Sequence, residues 1–100
     1  MARPRSELNA ILENYCQEVY FQPPASKKLS YPCIIYKLDR LNVVHADNVS
    51  YRVMDEYSVT YITRDPDDPN IRAIVLLPYC ELTRAYSSDN LHHNSYRLYF

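Results

Sequence analysis

The chain has 100 residues and no glycine, where average usage would supply about seven. Without glycine it has neither the phosphate-binding loop of P-loop proteins nor the fingerprint of dinucleotide-binding folds. A turn that needs positive φ must use another residue, and asparagine and aspartate tolerate that conformation best. Two segments fit this requirement, and we expect turns at Ala46-Asp47-Asn48 and Ser87-Ser88-Asp89-Asn90.

Long apolar runs and clustered positive charge are also missing. No run approaches the roughly 20 residues of a membrane span, and the first ten residues lack the apolar centre of a signal peptide. The net charge is −1, and Lys27-Lys28 is the only adjacent basic pair. Binding through phosphates usually needs a basic patch. We therefore expect a protein made in the cytosol whose main partner is neither a membrane nor nucleic acid.

Metal and catalytic signatures are equally scarce. Cys16, Cys33 and Cys80 are odd in number and form no CxxC pair, which argues against a disulfide framework or a zinc site. His92 and His93 are adjacent on a predicted strand, so they point to opposite faces and cannot chelate one ion alone. We expect neither a metal nor a cofactor.

Two further groups have simpler explanations than catalysis or ion binding. Asp65, Asp67 and Asp68 lack the turn glycine and distal glutamate of a calcium loop, and fit a turn and helix cap instead. Cys33 lies in an apolar strand, where the thiolate is disfavoured. We found no positive feature of an enzyme.

Apolar periodicity predicts two helices. Leu8, Ile11, Leu12 and Tyr15 recur at helical spacing, which predicts an amphipathic helix over 6–19. Its predicted cap is Ser6, and Pro23-Pro24 forbid its continuation. A second helix should follow Asp68 as N-cap and Pro69 as first helical residue, ending before Pro78.

Strands are predicted at 31–38, 51–64, 79–86 and 91–100. Pro32 should mark the start of the first, because a missing N–H does least harm there. The order α-β-β-α-β-β predicts one α+β domain over residues 1–100, mainly antiparallel, with 1–5 as a flexible terminus. The first two strands form a hairpin that we expect to project from the sheet.

The eleven tyrosines favour half-buried sheet surfaces and contacts between subunits. Stacking on single-stranded nucleic acid is a weaker explanation, because it also needs a positive groove. The hairpin and the terminal strand supply the candidate residues of an oligomer interface: Arg52, Glu56, Tyr57, Tyr61, Tyr99 and Phe100.

Five segments, in this order along the chain, carry a resemblance to a known family: VYFQPP (19–24), LSYPCIIYKL (29–38), ADNVSY (46–51), YSVTYITRDPDD (57–68) and LPYCELTRAYSSDNLHHNSYRLYF (77–100). Together they resemble the small tail-completion proteins of tailed bacteriophages and prophages, which look like relatives of the tail terminators. The resemblance spans almost the whole chain, although its segments are short.

The resemblance implies an α+β subunit that assembles into a ring, generally a hexamer, on the last ring of the tail tube. Such a ring stops tube polymerisation and meets the head-side neck or connector protein, while genomic DNA passes through its lumen without sequence-specific binding. It implies no catalytic residue and no cofactor. The expected location is the virion tail near the head–tail junction, after assembly in the host cytoplasm.

Two other functions stay open at this point. A neck or head-completion protein would meet the portal instead of the tube, and a small host-side adaptor would use the tyrosine-rich face to bind a protein. Since a released particle meets oxidising conditions, disulfides between subunits through Cys16, Cys33 or Cys80 also stay open.

Overall fold

The computed structural model describes residues 4–26, 28–46 and 49–100, and for residues 41–46 and 49–54 it describes the backbone alone. Within these residues the chain forms two helices and five strands. Their bounds are α1 Arg5–Glu13, β1 Val19–Phe21, β2 Cys33–Ala46, β3 Val49–Thr63, α2 Pro69–Val75, β4 Cys80–Ser88 and β5 Leu91–Tyr99.

The strands form one sheet in the order β1-β2-β3-β5-β4. Only the short edge strand β1 runs parallel to its neighbour, and the other three pairings are antiparallel. This arrangement confirms the predicted α+β domain with a mainly antiparallel sheet and two helices. The four predicted strands correspond to β2, β3, β4 and β5, although β2 continues to Ala46 instead of ending at residue 38.

The hairpin of β2 and β3 is longer than its neighbours. Ala46 pairs with Val49 at its far end, and the predicted turn residues Asp47 and Asn48 lie outside the described residues. The last paired residue of β3 next to β5 is Glu56, opposite Tyr99. The hairpin therefore projects beyond the rest of the sheet, as predicted, in a chain whose longest dimension is 51 Å.

The start of α1 differs from its prediction. Arg5, expected in a flexible segment 1–5, is the first helical residue, and its guanidinium donates a hydrogen bond to the Tyr36 hydroxyl at 3.1 Å. Ser6 is not the cap: Pro4 occupies the N-cap position, and no side chain caps the helix there. The start of the helix thus has a contact with the sheet and no side-chain capping bond.

The end of α1 also differs, because the predicted helix 6–19 stops at Glu13. Val19–Phe21 form β1 instead and pair with Ile34–Tyr36. β-branched and aromatic residues favour a pleated sheet, and a neighbouring strand supplies hydrogen bonds that compete with the helix. Pro23-Pro24 therefore follow a strand and do not end a helix.

The second helix begins as predicted. Asp68 is its N-cap, and a carboxylate oxygen accepts a hydrogen bond from the Asn70 backbone N–H at 2.9 Å. Pro69 holds the first helical position, where its missing N–H costs nothing. The helix ends at Val75, three residues before Pro78.

Both helices pack on the same face of the sheet, which we call the helix face. The alternation in β3 is confirmed here, because Tyr57, Val59 and Tyr61 all point into the core. Burying one such side chain contributes about 1.5–3 kcal/mol. The buried cluster consists of Leu8, Leu12, Cys16, Ile34, Tyr36, Tyr57, Val59, Tyr61, Ile74, Tyr96 and Leu98.

Three buried tyrosines join the sheet to the helices through their hydroxyl groups. Each ring packs in the core, while the hydroxyl reaches a polar atom on or next to a helix, as a buried tyrosine requires. The three bonds are Tyr36 to the Asn9 amide oxygen at 2.7 Å, Tyr61 to the Asp68 carboxylate at 2.6 Å and Tyr96 to the Ile71 carbonyl at 2.6 Å.

Asp68 lies at the centre of this hydrogen-bonded network. The oxygen that accepts from Tyr61 also accepts from the Thr63 hydroxyl at 3.1 Å, while the other oxygen caps α2. Asn70, the residue whose N–H is capped, donates its amide to the Tyr15 carbonyl at 2.9 Å. One carboxylate thus connects β3 and α2, and α2 is connected in turn to the segment after α1.

Positive φ occurs at four residues that are not glycine. Asp89 and Asn90, with φ of 53° and 62°, form the two-residue turn between β4 and β5, as a chain without glycine predicts. Gln22 and Tyr79, with φ of 45° and 58°, do not follow that expectation. Both residues make a backbone hydrogen bond to the sheet. The Gln22 N–H donates to the Tyr36 carbonyl of β2 at 2.9 Å, and the Tyr79 carbonyl accepts from the Tyr99 N–H of β5 at 3.1 Å.

We predict that Tyr61→Phe lowers the free energy of unfolding by about 1.5–3 kcal/mol, because it removes a buried hydrogen bond to a carboxylate and keeps the ring. Tyr20→Phe is the matched control, since the Tyr20 hydroxyl donates to Glu18 at 2.6 Å on the exposed surface. Urea unfolding followed by circular dichroism measures both. Equal losses in the two variants would contradict a central role for Asp68.

Candidate assembly surface

Two of the predicted interface residues lie inside the subunit. Tyr57 and Tyr61 are 2% and 0% exposed and belong to the core under the helices. A neighbouring copy could reach them only if the helices moved away. Their burial therefore corrects the expectation that they lie at a contact between copies, and it assigns them to folding.

Glu56 also lies deeper than expected. It is on the face opposite the helices, as the alternation predicts, but only 7% of its side chain is exposed. Its carboxylate oxygens lie 3.2 Å from Arg40 Nε and 3.9 Å from Arg97 Nε. The Tyr99 hydroxyl also hydrogen-bonds to Glu56, and this bond raises the pKa of Tyr99.

These residues form a polar cluster across β2, β3 and β5 at the base of the projecting hairpin. Arg97 extends the cluster to β4 through a 2.7 Å bond to Glu81. Because both arginines are substantially exposed, the cluster gains less from its charges than a buried pair would. The cluster connects β2 and β3 to β5 at the base of the hairpin.

The C-terminal residue Phe100 continues the sheet by one position. Its N–H donates to the Asp55 carbonyl at 2.9 Å, and its carbonyl accepts from the Asp55 N–H at 3.2 Å. Its ring is half-buried against the core. Tyr99 is half-buried as well, so both residues lie at the border of the subunit. Arg52 belongs to the residues of which only the backbone is described.

Beyond Asp55 the hairpin consists of two strands only. We call this part, residues 41–46 and 49–54, the arm. In the part of the chain that the structure describes, no third strand pairs with it. Two-stranded ribbons are marginal in water, and most residues of the arm are apolar: Leu41, Val43, Val44, Ala46, Val49, Tyr51, Val53 and Met54. This composition is typical of a segment that packs on another surface.

The opposite margin of the sheet is exposed. Strand β4 pairs with β5 on one side, and every residue from Glu81 to Ser88 is exposed. Leu82 and Tyr86 are 46% and 40% exposed on this strand. A free strand edge with apolar side chains is a common site of pairing between chains.

The cysteines are free thiols placed away from the surface. Cys16 and Cys33 are buried, and Cys80 is half-buried. Burial raises the pKa of Cys33 and of Cys80 from 9.0 to about 11, so little thiolate is present at neutral pH. A disulfide between copies through Cys16 or Cys33 would require the subunit to open.

The histidine pair divides between the two faces, as predicted. His92 Nδ1 lies 3.0 Å from the Ser87 hydroxyl, whereas the His93 ring stacks on Tyr86 at 4.7 Å with 5° between the planes. The Arg84 guanidinium lies over the Tyr86 ring, 4.5 Å from the ring centroid. Within the described residues, no three His, Cys, Asp or Glu side chains converge on a possible metal position.

The described helices, with at most nine residues, include none of the length and apolarity needed to cross a membrane. The chain matches no family model, no curated protein and no solved structure. Any functional conclusion therefore depends on the residues and their geometry.

Reasoning from the sequence missed the partners of Glu56 and the exposure of the edge strand β4. Arg40 and Arg97 are distant in sequence from Glu56, and a bulge between Leu38 and Arg40 shifts the register that brings Arg40 opposite it. The edge strand did leave a signal: five of the nine residues of CELTRAYSS at 80–88 are polar, which suits an edge strand better than a central one.

We predict that Glu56→Gln lowers the free energy of unfolding by about 1–2 kcal/mol, because it weakens the contacts with Arg40 and Arg97 at a buried position. Glu81→Gln is the matched control. It also pairs with Arg97, but 59% of its side chain is exposed, so we expect a loss below about 0.5 kcal/mol. Thermal or urea unfolding of both variants measures the difference, and a reversed order would rule out Glu56 as the centre of the cluster.

Stability should fall at alkaline pH. Burial raises the pKa of Cys33 and Cys80 to about 11 and, together with the bond to Asp68, raises the pKa of Tyr61 from 10.0 to about 12. These acids lose protons at lower pH in the unfolded chain than in the folded one. The stabilisation is therefore complete below pH 9 and is lost as the pH rises toward 11 and 12.

Urea unfolding at intervals from about pH 7 to pH 11 measures this loss. Cys80→Ala is the control variant, because it removes one of the groups whose pKa is raised and should make the decline shallower. A free energy of unfolding that stays constant to pH 11 in the unsubstituted protein would contradict the assignment.

Proposed function

We propose that this protein is a structural component of a bacteriophage tail, a tail-completion or terminator protein that forms a ring on the end of the tail tube. The ring joins the tube to the head-side neck or connector protein and lets DNA pass through its lumen. The chain acts by assembly and not by catalysis. The resemblance implies a hexameric ring.

The observation that carries this proposal is the arm. A small subunit that extends an apolar two-stranded ribbon away from its own core needs a neighbour to cover it. The unpaired edge of β4 is a second surface to which another chain could bind, and it lies at a different place in the subunit. Two different surfaces that bind each other form a heterologous contact, and such a contact closes into a ring when its rotation allows.

The resemblance supports the phage context. It covers nearly the whole chain, and its segments include the strands that build the sheet and the N-terminal cap of α2. A net charge of −1 fits a ring through which DNA passes without being held.

The direct test combines the purified protein with tubes assembled from the tail tube protein of the same phage. We expect rings at the tube ends in negative-stain electron microscopy and tubes that stop growing. Binding to the portal or connector with no binding to tubes would favour the neck function instead. Absence of both, or a gene located in a metabolic operon, would overturn the proposal.

We predict that Arg52→Glu weakens self-association by about tenfold and leaves the free energy of unfolding of the monomer nearly unchanged, because Arg52 lies in the arm and away from the core. Arg64→Glu, an exposed reversal just past the other end of β3, is the control and should leave association unchanged. Sedimentation velocity over a range of concentrations measures association. A loss of folding in Arg52→Glu, or equal effects of the two reversals, would contradict the role of the arm.

A further inference from the structure

The free edge of β4 borders a groove on the helix face. Two hollows of about 330 Å³ and about 200 Å³ share Pro66 and Ile71 in their walls, so they follow each other between α2 and β4. Val75 and Leu82 line the larger hollow, and Ala85 lines the smaller one. Leu82 remains 46% exposed because no strand lies beyond β4 in the described sheet.

Asn94 supplies an independent sign that something binds here. It lies on β5 opposite Ala85, lines the smaller hollow and is only 6% exposed. Its amide nitrogen has no acceptor among the described residues. A buried donor without an acceptor destabilises the subunit, so an acceptor oxygen that reached this amide would be bound favourably.

The regular part of the edge is short. The register of β4 against β5 shifts between Leu82 and Arg84, and the pairing is regular again from Arg84 to Ser88. Five residues correspond to about 17 Å of strand. Ala85 in this stretch lies opposite Asn94, and β4 separates an added strand from β5. Only a side chain that reaches over Ala85 into the smaller hollow would approach the unpaired donor.

The arm is similar in length to the regular stretch of β4, and no third strand pairs with it among the described residues. Each of its strands has six residues beyond the sheet, which is about 20 Å. The arm cannot reach β4 of its own chain, because β5 lies between β3 and β4 throughout the sheet. A contact between the two must therefore join different copies.

We propose that the edge of β4 and the groove between β4 and α2 bind the arm of a second copy of this chain. One strand of the arm adds to the sheet beside Arg84–Ser88, and side chains on its helix side enter the groove. Backbone pairing contributes affinity and the hollows select the side chains, as in other cases of strand addition. The contact is heterologous and defines the joint of the ring, so it rests on the proposed function.

Pairing of β4 with β4 of another copy is the main competitor. The shift at Leu82 and Arg84 would interrupt such a symmetric contact, because two irregular segments would have to fit each other. It would also leave the arms of both copies uncovered. An arm on the regular stretch avoids both problems.

Photo-crosslinking identifies the occupant. Tyr86, exposed on the regular stretch, is replaced by the photoreactive analogue p-benzoylphenylalanine in the full chain, and unlabelled and ¹⁵N-labelled copies are mixed before irradiation. We expect crosslinks between the two isotopic forms that join position 86 to a peptide from residues 41–54. Crosslinks to residues 80–88, crosslinks to any other segment, or no crosslink between copies would overturn the inference.

A pair of leucines gives a second measurement. Leu82→Lys places a charge at the groove and should weaken self-association by about tenfold or more. Leu76→Lys is the matched control, because Leu76 is 81% exposed and does not line either hollow. Circular dichroism and sedimentation velocity separate folding from association, and equal association constants in the two variants would contradict the groove.

The tail function and the contact between the arm and β4 can each be disproved without the other. Rings on tubes with crosslinks at another surface would retain the tail function and remove this contact. Crosslinks from position 86 to the arm without binding to tubes would retain the contact and remove the tail function.

Discussion

The hydrogen bonds of the Asp68 carboxylate connect most of this small domain. The carboxylate accepts from Tyr61 and Thr63 on the central strand β3 and caps α2 through Asn70. A core built from 100 residues is small, and a helix of seven residues has little stability of its own. The position of α2 therefore depends on this carboxylate and on the Tyr96 bond to the helix backbone. Since α2 forms one wall of the groove beside β4, the same contacts also shape the proposed binding surface.

Tyrosines occupy both the core and the exposed edge of this chain. Inside, the rings of Tyr36, Tyr61 and Tyr96 fill the core, and their hydroxyls reach the helices. At the margin, Tyr86 stacks on His93 and stays exposed on the edge strand. Apolar bodies with polar tips suit both places, because each requires buried area together with a hydrogen bond or contact with water. The count of tyrosines alone does not distinguish these roles.

Two parts of the subunit lie at the border of the sheet. The arm continues past the last residue paired with β5, and the outer edge of β4 has no partner among the described strands. A polar cluster around Glu56 joins β2, β3 and β5 at the base of the arm. The proposed contact between copies would cover the arm and the edge of β4 together.

The sequence by itself determined the local structure: the α+β class, the strands from β2 to β5, the cap of α2 by Asp68, and the turn at Asp89-Asn90 without glycine. These features depend on periodicity, capping and backbone preference within a few residues. Only the tertiary structure decided that Val19–Phe21 pair with β2 instead of continuing a helix, that Glu56 lies buried between two arginines, and that Asn94 keeps an unpaired donor beside a free edge. Those outcomes depend on partners far apart in the chain, and their register and burial are not encoded in any one segment.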